Sequence, residues 1–280
     1  MNIKILTDST CDLPKPILDA CGIDLTPLTV VKDGAEFKDG ITITPAEIFA
    51  HVAAGGALCS TSAVSVGEYQ DIFAAYTEKY DGILQICIGS GFSASYQNAC
   101  LAAQDYENVR VIDSQNLTVG QGFLALKAYE LAKQADSLDA LAAQVQDLAG
   151  KVETSFVVDK LDYLAKGGRC SSVAALGANL LSLKPCIELI SNKLTVGKKY
   201  RGNLTKCLTA YIRDRLADRD DIDTSCVFLV KTVVPEESYQ AVKDAIQTYG
   251  HFEHVQEATA GCTISCHCGP GTLGIIFLRK

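Results

Sequence analysis

Through the first half of the chain, short apolar runs end in polar turns and then give way to helical spacing. Residues 2–6, 83–88 and 109–112 are such runs, closed by Thr7-Asp8-Ser9-Thr10, Gly89-Ser90-Gly91 and Asp113-Ser114. None alternates strictly between apolar and polar, which is the pattern of a parallel strand covered on both faces. A helix is predicted over 67–80. Another is predicted where Leu138, Leu141, Val145 and Leu148 recur between a capping Ser137 and Gly150. Residues 1–150 therefore read as a three-layer α/β domain with a parallel sheet.

The pattern changes after residue 150. Residues 186–191 and 193–198 flank Asn192 as a β-hairpin, whose strands are antiparallel. Residues 226–231, 252–258 and 274–278 read as further strands. Pro235 opens a helix with Tyr239, Val242, Ile246 and Tyr249 on one face, stopped by Gly250. A mixed sheet with few helices predicts a second α/β domain over residues 151–280. No repeat, low-complexity segment or Pro-rich linker interrupts the chain.

Composition narrows the function classes. Of 280 residues, 48% are hydrophobic and 21% charged, enough apolar side chain for a packed core. The net charge of -8 argues against a nucleic-acid partner, because phosphate neutralisation needs clustered Lys and Arg. It also limits contact with anionic membrane to a transient one. No basic segment followed by an apolar run opens the chain, and runs such as 273–278 are too short to span a bilayer. A cytoplasmic location is expected, in which the 12 cysteines are mostly free thiols packed as small hydrophobes.

Three polar segments carry candidate chemistry. Gly89-Ser90-Gly91-Phe92-Ser93-Ala94-Ser95-Tyr96-Gln97 follows a strand and opens a helix. N–H groups at such a start lack intrahelical partners and attract anions, and glycines let a ligand approach the backbone. The segment misses the G-x-S-x-G nucleophile elbow, with Ser95 where the second Gly belongs. It matches neither the Walker pattern nor the dinucleotide fingerprint. Cys59-Ser60-Thr61-Ser62-Ala63-Val64-Ser65 offers neutral hydroxyls to a carboxylate or phosphate, although a Ser/Thr-rich cap is the simpler reading of it alone. Ser265-Cys266-His267-Cys268-Gly269-Pro270-Gly271 holds a histidine just before a rigid turn. Adjacent Cys266-His267-Cys268 do not readily face one tetrahedral centre, and no C-x-x-C occurs, so no metal is expected. Lys166-Gly167-Gly168-Arg169 adds a cation on a turn, able to neutralise an anion or pair with a carboxylate.

Taken in order, these segments resemble the DegV family. The likeness runs through Thr7-Asp8-Ser9-Thr10-Cys11-Asp12-Leu13, Ser60-Thr61-Ser62, residues 89–99 and Val111-Ile112-Asp113-Ser114. It continues with residues 161–169, Lys184-Pro185 and residues 267–274. The resemblance implies a two-domain α/β protein that binds a long-chain fatty acid between its domains and needs no other cofactor. In the bacterial fatty acid kinase system such a protein is not itself the catalyst. It presents the acyl carboxylate to a separate ATP-dependent kinase subunit, whose acyl phosphate feeds phospholipid synthesis. Residue by residue, Thr61 and Ser93 match the hydroxyls on the carboxylate and His267 the histidine beside it. Ser62, Ser95 and Arg169 are further ligand or partner contacts. The chain departs from the family pattern at Ala63, Val64, Ala94, Cys266 and Cys268, which alters local shape but keeps the hydroxyl and imidazole groups.

Elementary energetics fit this use of the residues. Burying about fifteen methylenes contributes roughly 12 kcal/mol gross, at ~0.8 kcal/mol each, so affinity needs no salt bridge at the head. Hydroxyl donors suffice to orient the carboxylate and leave its oxygen nucleophilic. The competing reading from another class is a serine hydrolase of acyl substrates, with Ser93 as nucleophile, His267 as base and Asp113 or Asp159 as orienter. The broken elbow counts against it.

Overall fold

The computed structural model describes residues 1–174 and 183–280, and the chain falls into two compact units. One is Met1–Val152 with Gly261–Thr263; the other is Glu153–Ala260 with Ile264–Lys280.

In chain order the first unit contains β1 (Ile3–Asp8), a 3-10 turn at Ser9–Cys11, α1 (Lys15–Cys21), β2 (Asp24–Thr26), β3 (Thr29–Lys32), β4 (Ala35–Lys38) and α2 (Pro45–Ala53). Next come β5 (Ser60–Ser62), α3 (Val66–Thr77), β6 (Gly82–Cys87), α4 (Ser95–Ala103), β7 (Val109–Asp113), α5 (Val119–Ala132) and α6 (Leu138–Ala149). The main sheet has the order β2-β1-β6-β7 and its pairings are parallel. Every residue of β6 is buried, so both faces of the sheet are covered. Ile83 and Cys87 pack with Tyr69 and Phe73 of α3 and with Ala99 and Ala102 of α4. On the other face Leu138 of α6 lies against Gly82, and Gln121 of α5 donates to the carbonyl of Ile86 at 3.2 Å. The three-layer parallel architecture predicted for this half is present. Ser137 caps α6 through the N–H of Ala140, as its sequence position predicts.

A three-stranded antiparallel sheet, β4-β3-β5, was not predicted. It places a strand where the sequence showed only a run of hydroxyls and a Ser/Thr-rich cap. Ser60, Thr61 and Ser62 form β5 and pair with Val31, Val30 and Thr29. Only Ser65 acts as the cap, in a reciprocal capping box with Glu68.

The second unit is built from β8 (Val152–Val157), α7 (Leu161–Gly167), α8 (Ser171–Ala174), β9 (Leu183–Ile190), β10 (Lys193–Arg201) and α9 (Leu204–Leu216). It closes with β11 (Ile222–Lys231), α10 (Glu236–Tyr249), β12 (His254–Thr259), α11 (Cys262–Cys268) and β13 (Leu273–Arg279). Its sheet runs β10-β9-β8-β13-β11-β12. The β9–β10 and β11–β13 pairs are antiparallel and β11–β12 is parallel, so the sheet is mixed as predicted. Ser191 and Asn192 both have positive φ, 49° and 59°, the primed-turn geometry that suits a two-residue hairpin. The expectation of few helices is wrong. Helices α9 and α10 pack a core of Leu208, Tyr211, Ile212, Tyr239, Val242 and Ile246 onto Val227, Leu229, Ile275 and Phe277 of the sheet.

Residues 265–268, seen in the sequence only as the approach to a rigid turn, are helical. They complete helix α11, and the turn begins only at Gly269, whose N–H donates to the carbonyl of Ser265 at 3.0 Å. Among the described residues no helix is long and apolar enough to cross a membrane.

Candidate ligand site

The turn that carries Ser93 is held from beneath by two carboxylates. Asp8, at the end of β1, accepts the N–H of Ile88 at 2.7 Å, just past the end of β6. Asp113, at the end of β7, accepts both the N–H and the hydroxyl of Ser90, at 3.0 and 2.6 Å, together with the N–H of Gln115. Gly89 donates its N–H to the carbonyl of Asn116 at 2.7 Å. The backbone between 88 and 90 is thus pinned to the two neighbouring strand ends, and residues 91–94 pass above it into α4.

Ser93 is half-buried at this point. Its Oγ accepts the N–H of Ser95 at 3.2 Å and lies 3.0 Å from the Ser95 hydroxyl. This places the Ser93 hydroxyl beside the partial positive charge of the first turn of α4. Ser95 itself is buried, and its hydroxyl lies against that of Ser93. Thr61 is half-buried on β5, and Ser62 is exposed. Their segment is tied to α4, the helix after Ser93, by Asn98, which donates to the carbonyl of Val64 at 2.8 Å.

His267 occupies the last turn of α11, Gly167 lies against its Nδ1, and the Gly-Pro-Gly turn follows. Burial, and the Arg169 guanidinium after it, push the imidazole from an ordinary 6.5 down to about 4, so it is neutral at pH 7. Arg169 is exposed and donates to the carbonyl of Gly167 at 2.7 Å. The structure therefore brings together Ser93 with Ser95, and His267 with Arg169.

The hydrolase alternative does not gain support. Asp113 is engaged with Ser90 and Gln115, and Asp159 pairs with Lys184 at 2.5 Å. The charge acting on His267 is a cation, the opposite of a triad's orienting carboxylate. Among the described residues no group of three or more His, Cys, Asp or Glu is arranged to hold a metal.

Sequence reasoning missed the buried polar centre of the first unit. Asp8 also accepts hydroxyls from Tyr69 and Thr26, at 2.8 and 2.9 Å, and burial lifts its carboxyl to about 6. Asp12 accepts the hydroxyl of Thr118 at 2.6 Å and the N–H of Gly261 at 2.8 Å, and burial holds it well above the usual carboxylate range. Asp39 accepts N–H groups from Cys262 and Thr263 and the hydroxyl of Ser9. One signal was visible: polar Thr7-Asp8-Ser9-Thr10 continue directly from the mainly apolar residues 3–6, and polar groups are buried there only if they are satisfied. Nothing around Asp39 in the sequence marks it.

Comparison with known proteins now bears on this arrangement. The family model described as "Uncharacterised protein, DegV family" matches residues 2–280. The chain belongs to the DegV family. A DegV domain-containing protein of Caldanaerobacter subterraneus is 29% identical over 282 residues, covering 99% of each chain. A solved DegV structure from Thermus thermophilus, described by its fatty acid binding, superposes with a TM-score of 0.87 at 30% identity over 100% of both chains. The crystal structure of DegV from Bacillus subtilis, a fatty acid binding protein, gives 0.82 at 27% identity, again over 100% of each. The parallel sheet and the mixed sheet described above are thus the two sheets of a DegV fold.

Proposed function

We propose that this chain binds a long-chain fatty acid and holds its carboxylate with Thr61, Ser93 and His267. The observation that carries the reading is the full-length similarity to the fatty-acid-binding DegV proteins of Thermus thermophilus and Bacillus subtilis. The head-group chemistry agrees with it. Two hydroxyls and a neutral imidazole supply hydrogen bonds to a carboxylate without neutralising it, so the oxygen keeps its nucleophilicity. Affinity then comes from the buried acyl chain, and Arg169 serves as an outer contact for ligand or partner.

On this reading the protein catalyses nothing by itself. It presents the carboxylate to a separate ATP-dependent kinase, which attaches the phosphoryl group. The test is mass spectrometry of an organic extract of the natively purified protein, followed by titration with palmitate and oleate. A near-stoichiometric fatty acid, or saturable binding of either one, is expected. An empty protein that rejects both sinks the lipid reading. For the second part, acyl phosphate must form when loaded protein, ATP and a fatty acid kinase are combined, and must not form when either protein is omitted.

A further inference from the structure

Helix α7 and the turn after α11 are fitted to each other at three places. A Cβ on Gly271 would strike the side chain of Asp159, and one on Gly269 would come within 2.6 Å of the Tyr163 ring. A Cβ on Gly167 would collide with Nδ1 of His267. At the first two places the turn supplies the glycine and the segment leading through α7 supplies the side chain. At the third the roles invert: α7 supplies the glycine and the turn's approach supplies the imidazole.

Gly269 and Gly271 have a second reason to be glycine, since their φ values are 70° and 80°. Gly167 has no such reason. It is the last residue of α7, with φ outside the left-handed region, so the backbone there does not call for glycine. What its missing side chain provides is room, and the imidazole fills that room. Arg169 closes over the same residue through its hydrogen bond to the Gly167 carbonyl.

We propose that Gly167 is a positioning residue for His267, the seat in which the imidazole is held under Arg169. The proposal rests on reading His267 as a head-group contact. Any side chain at 167 evicts the ring from its place on α7. The site then loses its preference for a carboxylate over an uncharged head, while burial of the acyl chain is unaffected.

The experiment is a double-mutant cycle of Gly167→Ala and His267→Ala on the full chain, with Gly150→Ala as control because a Cβ there meets nothing within 4 Å. Without ligand, G167A should move the His267 Hε1 resonance and lower the melting temperature. The second loss should vanish in the H267A background, where no ring remains to collide with. With ligand, G167A should weaken palmitate tenfold or more, leave 1-hexadecanol within twofold, and have no further effect on palmitate once His267 is Ala. An unmoved resonance, or losses that simply add, overturns the proposal. So does failure of the double variant to fold, since it contains no collision. If the wild-type chain binds neither palmitate nor oleate, the lipid reading falls, and the ligand-free cycle still decides whether Gly167 seats the ring.

Discussion

The carboxylate of Asp8 accepts the backbone N–H of Ile88 at 2.7 Å, so an acid at the end of one strand fixes the end of its neighbour, from which the Ser93 turn departs. Its other oxygen accepts Tyr69, Thr26 and Gln85. All four groups donate, which an Asn at this place cannot match because its amide nitrogen would face one of the donors.

The same acid makes stability depend on pH. The folded state holds its proton up to about 6, whereas the unfolded chain releases it near 3.8. Between these values the folded state binds more protons, so Asp8 costs stability as pH rises, by about 3 kcal/mol in total. In urea melts of wild type and Asp8→Asn, the wild type's advantage should be largest below about pH 4 and shrink as pH rises through 6 toward 7. A gap that is constant or widens with pH contradicts the assignment.

His267 has the opposite slope. Its folded value near 4 lies below the unfolded 6.5, so the unfolded chain takes up a proton that the folded one refuses. Stability from this group is complete above pH 6.5 and is lost as pH falls toward 4. In a histidine-labelled sample the His267 ring signal should stay at its neutral position down to about pH 5. A midpoint near 6.5 would show a solvated ring. Arg169→Ala should raise the midpoint.

On the proposed function, Ser93→Ala and Thr61→Ala each remove a neutral donor to a charged group, worth about 1.5–3 kcal/mol. Palmitate should bind roughly ten- to hundredfold more weakly to each variant, and 1-hexadecanol nearly as well as before. Equal losses for acid and alcohol in a calorimetric titration would place the two hydroxyls away from the carboxylate.

Asp113→Ala removes the acceptor of Ser90 and of the Gln115 N–H. Leaving the two part-buried Ser90 donors unmatched should cost about 2 kcal/mol in thermal or urea melts. It should also loosen the backbone before Ser93, read as faster amide exchange at residues 90–92. A variant as stable and as protected as wild type removes Asp113 from the support of this turn.

Much of the fold was legible because its strands and helices carry their own periodicity. The apolar runs of β1, β6 and β7, the Ser137 cap and the hairpin at Asn192 all follow from local rules. Helix α9 was readable in principle, since Leu204, Leu208, Tyr211, Ile212 and Leu216 lie on one face and Asn203 caps it. The Lys and Arg residues on its outer face obscured that stripe. Strands β3, β4 and β5 span only three or four residues, too few for a period of two to be recognised. Helix α11 is written in Cys, Thr, Ile, Ser and His, all modest helix formers, and its first N–H groups are taken by Asp39, more than two hundred residues away in sequence. No local rule reveals a cap supplied from that distance. For the candidate site, the hydroxyl and imidazole residues were visible as motifs, whereas the acids that hold residues 88–90 and the space at Gly167 emerge only in three dimensions.

Asp12 and Asp39 take the N–H groups of Gly261, Cys262 and Thr263, so the polar centre of the N-terminal unit is completed by residues near the other end of the chain. This sets an order of events during synthesis. As the ribosome works from the first residue, the sheet and its helices are finished by residue 152, but two buried acids remain without these partners until residue 263 has been made. The unit translated first is the one that must wait, and a chain released before that point carries two buried acids short of these hydrogen bonds.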